Sequence, residues 1–183
     1  MIKGERIYLR LFEPMDYMET IKYRNDEEIT KLLGGNTYCV STEIEKRWVE
    51  QKSISNIDEL YFAICLKSDN SMIGYCSIIN IDLRNLKADI GGWMIGEKKL
   101  WNQGYSKEAV ELLLKYAFDE YPLHKCYSFC LEEHEISNKT HISLGFKLEG
   151  QLRDHVFKGS KFHTLNVYSI LRNEFYEKFP KQQ

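Results

Sequence analysis

The chain predicts a mixed α/β fold around a largely antiparallel sheet, and three observations carry that expectation. Between residues 60 and 95 lie three apolar runs, LYFAICL, MIGYCSII and ADIGGWMI, separated by the turn KSDNS and the polar loop DLRNLK, the pattern of an antiparallel meander. From Gly104 to Tyr121, the residues Ala109, Val110, Leu113, Leu114, Ala117 and Tyr121 form the apolar stripe of a long helix, with Glu111 and Lys115 paired on the opposite face. After Pro122 a strand, a helix and further strands follow, an order that requires a crossover.

The remaining elements fall around these in order. Ile7, Leu9 and Leu11 alternate with Arg6, Tyr8 and Arg10, so a strand opens the fold. Pro14 suits the first turn of a helix carrying Met18 and Ile21, and Thr42 with Glu45 forms a capping box for a second helix bearing Ile44, Trp48 and Val49. HKCYSFCLE reads as a strand, and residues 134 to 144 as a helix closed by a left-handed Gly145. The last two strands, from GFKLEG onward and FHTLNVYSIL, meet at Lys158-Gly159-Ser160-Lys161, a two-residue hairpin turn.

With 183 residues, 43% apolar and 28% charged, and no repeat or linker, the chain is expected to form one domain over residues 1–183. Its 25 basic and 27 acidic residues are mixed along the whole length, leaving no electrostatic footprint for nucleic acid or an anionic membrane. Cys39, Cys65, Cys76, Cys126 and Cys130 stand at spacings that suit neither a metal site nor a redox pair. No metal is expected, and the thiols read as reduced in a cytoplasmic protein. The opening MIKGERIYLRLF is charged and alternating, unlike an export signal, and no run approaches the roughly 20 apolar residues of a membrane span.

The chemistry is concentrated in WMIGEKKLWNQGYSKEAV. An apolar strand passes through a short polar loop straight into the strongest helix. Unpaired N–H groups and the positive end of the helix dipole can hold a phosphate there, with Gly104 allowing close approach. A glycine at a helix start also serves as a plain turn, and this signal alone does not separate the two readings.

At these residues the chain resembles the GNAT acetyltransferases, in the branch that includes ribosomal-protein and spermidine acetyltransferases. The family's pyrophosphate loop, Gln/Arg-x-x-Gly-x-Gly/Ala, corresponds to Trp101-Asn102-Gln103-Gly104-Tyr105-Ser106, where Gly104 matches and Trp101 and Ser106 depart. ADIGGWMIG, SLGFKLEG and the closing RDHVFKGSKFHTLNVYSIL extend the resemblance over nearly the whole chain. It implies six to seven strands, about four flanking helices, and a splayed parallel pair formed by ADIGGWMI and HKCYSFCLE that holds acetyl-coenzyme A (acetyl-CoA). The diphosphate would lie on residues 101–106 and the pantetheine arm on backbone groups of Met94 and Ile95, one of whose N–H groups would also stabilise an oxyanion. The family's asparagine that contacts this arm falls on His134, with Ser137 and Asn138 as polar neighbours.

An alkyl amine, with a pKa of about 10.4, must lose a proton before it attacks a thioester. The resemblance makes Asp89 the candidate base, the plainer alternative being a solvated aspartate at a strand start. Asp26, Glu27 and Glu28, after Tyr23-Arg24-Asn25, read either as acceptor-pocket residues or as an acidic helix N-terminus. His141 stands where many relatives place a tyrosine that protonates the departing thiolate, a role open to histidine near neutral pH; otherwise it is a surface residue. Arg153, His155 and His163 read as acceptor-cleft or strand-surface residues.

The expected activity is direct acetyl transfer from acetyl-CoA to a primary amine of a small molecule, an amino sugar or polyamine, in a homodimer. Two alternatives stay open: a ribosomal-protein N-terminal acetyltransferase and, from the departures at His134 and His141, a non-catalytic acyl-CoA-binding regulatory protein.

Overall fold

The computed structural model describes residues 1–34, 39–54 and 58–181. Its strands in chain order are β1 (Ile2–Lys3), β2 (Ile7–Leu11), β3 (Leu60–Leu66), β4 (Met72–Asp82), β5 (Lys87–Ile95), β6 (Lys125–Leu131), β7 (Lys147–Lys158) and β8 (Lys161–Leu171). They form one sheet ordered β1-β2-β3-β4-β5-β6-β8-β7, in which only the β5–β6 pair is parallel. The helices are α1 (Tyr17–Arg24), α2 (Glu27–Leu32), α3 (Thr42–Ile54), α4 (Tyr105–Glu120), α5 (Glu135–Leu144) and α6 (Arg172–Lys178). The mixed α/β architecture is as expected. The additional strand β1 has two residues, and the additional helices α2 and α6 have six and seven, too few for a hydrophobic period to show. Among the described residues, no helix is long and apolar enough to cross a membrane.

Helix α4 lays Ala109, Val110, Leu113, Leu114, Ala117 and Phe118 on one face of the sheet, against Ile7, Leu9, Ile64 and Ile90. Helices α1 to α3 cover the other face, through Tyr23, Ile29 and Val49 against Tyr8, Ala63, Cys65, Tyr75 and Met94. With both faces of β2 covered, Tyr8 is buried beside Ile7 and Leu9, and the expected one-faced alternation breaks at the exposed Leu11.

Two helix faces differ from the sequence reading. In α1 the buried residues are Thr20 and Tyr23, while Met18 is exposed. In α3 the Ser41 hydroxyl accepts the Ile44 N–H at 3.3 Å, so Ser41 rather than Thr42 caps the helix. Glu45 is 1% exposed and faces Arg24 at 3.7 Å, leaving Ile44 in solvent. The Arg24 guanidinium lies 5.5 Å from the Trp48 ring centroid. A carboxylate with a guanidinium to face thus takes an inward position that apolar patterning assigned to its neighbour.

What positions the site is the parting of β5 from β6. Their parallel pairing covers only Lys87–Asp89 against Lys125–Tyr127. Beyond it β5 bulges: between the pairs Ser77↔Gly91 and Tyr75↔Met94 it uses one residue more than β4, with Gly92 at φ +58. The extra residue bends the strand and locally disrupts its ladder, opening a gap on its β6 side. Gly145 closes α5 at φ +96, and the β7–β8 turn has Gly159 at φ +56 and Ser160 at φ +63, both as expected for these turns.

Candidate active site

The gap opens into a cleft with about 830 Å³ of free space, counted out to its mouth. Ile29, Leu32 and Leu33 wall one side; Trp93, Met94 and Ile95 form the strand side; Trp101, Asn102, Gly104, Tyr105 and Ser106 line the loop, and His134 and Ser137 the start of α5. The structure thus brings together every residue expected to contact the coenzyme except Gln103. That side chain turns back to donate to the Lys99 carbonyl at 2.7 Å.

The loop before α4 leaves backbone donors unpaired. Asn102 (φ +61) and Gly104 (φ +83) are both left-handed, and the Glu108 N–H makes a 3.0 Å bond to the Gly104 carbonyl, leaving the N–H groups of Tyr105, Ser106 and Lys107 ahead of it. Trp101, where the family pattern has Gln or Arg, donates its indole N–H to the Ile95 carbonyl at 2.7 Å and ties the loop to β5.

Arg6, which the sequence reading missed, braces the same loop from β2. Its guanidinium donates to the Gln103 carbonyl (2.8 Å) and to Glu108 (2.9 Å), and lies 4.2 Å from the Tyr105 ring centroid. Glu108 also accepts the Arg6 and Ile7 N–H groups, at 2.8 and 3.2 Å. Burial raises the Glu108 carboxyl, but these donors outweigh it and hold the group below the usual carboxylate range. No local pattern pairs residues 102 positions apart, so nothing in the sequence flagged Arg6.

Met94 and Ile95 take different orientations. The Met94 carbonyl stands against β4, only 2.0 Å from where a Cβ on Gly74 would be, and Gly96 donates to Ile73 at 2.7 Å. Backbone groups alternate along a strand, so Ile95 faces the gap, its carbonyl turned to Trp101 and its N–H directed to the same side.

Asp89 is the last β5 residue paired to β6, opposite Tyr127, and is 7% exposed. Its Oδ1 has no hydrogen-bond partner among the described residues, and desolvation pushes its pKa up to about 7. A carboxyl so placed is half ionised near neutrality, the condition that suits a general base.

His141 is fully buried, outside the cleft lining. It is stacked on Tyr168 and set against Trp93, with ring centroids 4.5 Å away in both cases. Its Nδ1 lies 2.7 Å from the Ser137 carbonyl, which only accepts, so the ring carries its proton there. Burial pushes its pKa down to about 4, and the neutral ring has no proton at Nε2 to give. His141 therefore occupies an aromatic packing position rather than the surface.

His134 is the N-cap of α5, with Nδ1 3.5 Å from the Ser137 nitrogen, and burial depresses its pKa. Asn138 turns inward rather than toward the cleft. Its Oδ1 accepts from Cys130, Asn166 and Tyr168 at 3.2, 2.7 and 2.9 Å, and its Nδ2 donates to the carbonyls of Leu131, Glu132 and His134.

Asp26 caps α2, accepting from Glu28 and Ile29, and Lys98 bridges it to Glu28, so these two acids are engaged at a helix N-terminus. Glu27 pairs with Lys31. Arg153 and His155 are exposed where β7 bulges against β8.

Two parted parallel strands, an open helix start beside them and a buried carboxyl at their last paired residue make up the candidate site. The family model described as the Acetyltransferase (GNAT) domain matches residues 6–147, and the chain belongs to that family of N-acetyltransferases. It is 29% identical over 178 residues to the "Uncharacterized N-acetyltransferase p20" of Bacillus licheniformis, covering 93% of this chain and 96% of that one. It is likewise 29% identical to the "Putative ribosomal N-acetyltransferase YdaF" of Bacillus subtilis (strain 168), over 94% of each. A GNAT-family acetyltransferase structure from Bacillus anthracis superimposes with a TM-score of 0.81 at 25% identity, covering 94% of this chain and 98% of that one. The spermidine N-acetyltransferase of Vibrio cholerae, in complex with CoA and spermine, shares the fold with a TM-score of 0.84 at 21% identity, over 93% and 98% of the two chains.

Proposed function

We propose that this chain, as one domain, transfers the acetyl group of acetyl-CoA to a primary amine of a small molecule, an amino sugar or a polyamine, by direct attack. The observation that carries the reading is the cleft beside the parted strands, with the unpaired N–H groups that open α4 along it; Asp89, at the last β5–β6 pair, is a buried carboxyl with a pKa raised to about 7 that lies outside the cleft lining. The diphosphate is bound by the free N–H groups that open α4, and the apolar walls from Ile29 to Trp93 take the pantetheine arm.

Asp89 takes the ammonium proton through water, the freed amine nitrogen attacks the thioester carbonyl carbon, and the nitrogen's second proton leaves to solvent. The oxyanion that forms is stabilised by the Ile95 N–H, and the C–S bond then breaks to release the thiolate. The thiolate takes its proton from solvent, because His141 is neutral and buried; in this reading His141 packs α5 against β5 and β8. Spermine in the Vibrio cholerae protein of the same fold favours a polyamine among the acceptors to be tried.

Calorimetric titration with acetyl-CoA, followed by thiol release against polyamines, amino sugars, aminoglycosides and N-terminal peptides, tests the reading. Binding with release on a small amine supports it. Release only on ribosomal-protein N-terminal peptides would replace the acceptor class, and failure to bind acetyl-CoA would overturn the assignment of the cleft.

A further inference from the structure

Helix α2 forms one wall of the cleft, yet six residues do not hold a helix by themselves. Its ends are held from outside. Asp26 caps the N-terminus and is paired with Lys98, from the segment between β5 and the anion loop, at 2.8 Å. At the C-terminus the Lys158 ammonium donates to the carbonyls of Thr30 and Leu33, 128 and 125 residues away in sequence. Those carbonyls lack a following helical turn, and the negative end of the helix dipole favours a cation there. Lys158 lies beside the hairpin turn, where lysines are ordinarily solvated, but is 6% exposed.

The same hairpin also reaches the opposite wall. The Lys158 carbonyl lies 3.0 Å from His163 Nε2, and His163 Nδ1 pairs with the Glu133 carboxylate. Glu133 immediately precedes His134, which lines the cleft from the start of α5. A continuous run of polar contacts therefore joins α2, Lys158, His163, Glu133 and the α5 wall. It passes through two residues of one hairpin that do not line the cleft themselves.

We propose that the β7–β8 hairpin is a clasp that fixes the separation of the cleft's two walls, and that Lys158 is a positioning residue for coenzyme binding acting through α2. The second part rests on the acetyl-CoA reading above; the first does not. Removing the ammonium frees the C-terminal turn of α2, so the coenzyme binds to a wall that must first be ordered.

Lys158→Met keeps the aliphatic stem and removes the donors, while Lys158→Arg restores a cation. In hydrogen exchange of the free protein, Lys158→Met should speed exchange over residues 27–33 at least about tenfold, with β3 to β5 unchanged. Its Kd and KM for acetyl-CoA should rise about tenfold with kcat within about twofold, and Lys158→Arg should recover most of the loss.

Unchanged exchange over 27–33 in Lys158→Met would overturn the clasp. Faster exchange with an unchanged Kd would overturn the positioning role. A variant that loses protection throughout the sheet has misfolded; the pair is then decided on Lys158→Arg and His163→Gln, the latter expected to speed exchange over 132–136 and to weaken acetyl-CoA binding, with wild-type behaviour in His163→Gln counting against the clasp. If the wild type itself does not bind acetyl-CoA, the functional reading falls, while exchange over 27–33 still decides whether the hairpin holds α2.

Discussion

Replacing Asp89 by Asn should make the protein less active and more stable at once, a combination that separates a functional carboxyl from a structural one. Burial raises its pKa from 3.8 to about 7. At about 1.4 kcal/mol per unit, the folded protein is penalised by roughly 4 kcal/mol once this group ionises. Because the folded-state pKa is the higher one, the native state holds the proton more tightly than the unfolded chain. The associated stability is fully present below pH 3.8 and is lost as pH rises through about 7. Asn is nearly isosteric and does not ionise, so Asp89→Asn escapes the loss.

Urea unfolding at pH 5 and pH 8 reads this directly. The advantage of the variant over the wild type should grow by at least about 1 kcal/mol between the two pH values, within the roughly 4 kcal/mol ceiling. Thiol release should fall on the order of 10²-fold or more, and the wild type's rise in kcat/KM through about pH 7 should flatten in the variant. Equal stability differences at both pH values would refute the buried-charge argument. An unaltered pH–rate profile would refute the role as base.

Three further perturbations follow from the same geometry. Burial holds His141 near a pKa of about 4 against a usual 6.5, so stability present above pH 6.5 should be lost as pH falls through about 4. The loss amounts to roughly 3 kcal/mol. His141→Phe should remove that acid sensitivity in thermal unfolding while keeping near wild-type turnover, and a large fall in kcat would return His141 to the chemistry. Gly104→Ala forces a side chain into φ +83, so acetyl-CoA affinity measured by calorimetry should drop; unchanged affinity would show that the loop does not carry the diphosphate. Arg6→Met releases Gln103 and Glu108 together and should raise KM for acetyl-CoA severalfold with a smaller change in kcat, whereas a kcat effect alone would place Arg6 elsewhere in the mechanism.

The local signals that proved legible were those with a short period or a strict backbone requirement. The α4 stripe, the meander of β3 to β5, the closing Gly145 and the hairpin at Gly159 all rest on contacts between near neighbours, which alternation, helical spacing and glycine positions report directly. The cleft lining was legible through the resemblance carried by the residues around Gly104, and the structure gathers all but Gln103 of those positions around one cavity.

What only the tertiary structure decided is how each polar residue is solvated and paired. Whether Glu45 caps a helix or faces Arg24, whether His141 lies at the surface or beneath Tyr168, and whether Asp89 is exposed or drowned in the sheet depend on residues far away in the chain. Arg6 on the loop before α4 and Lys158 at the end of α2 are set by partners about a hundred residues distant or more. Sequence alone determined the class of fold and the place of the loop before α4, because backbone preferences are local. The protonation states and the bracing of the site were decided by folding, because charge and burial are properties of the packed interior and not of any stretch of chain.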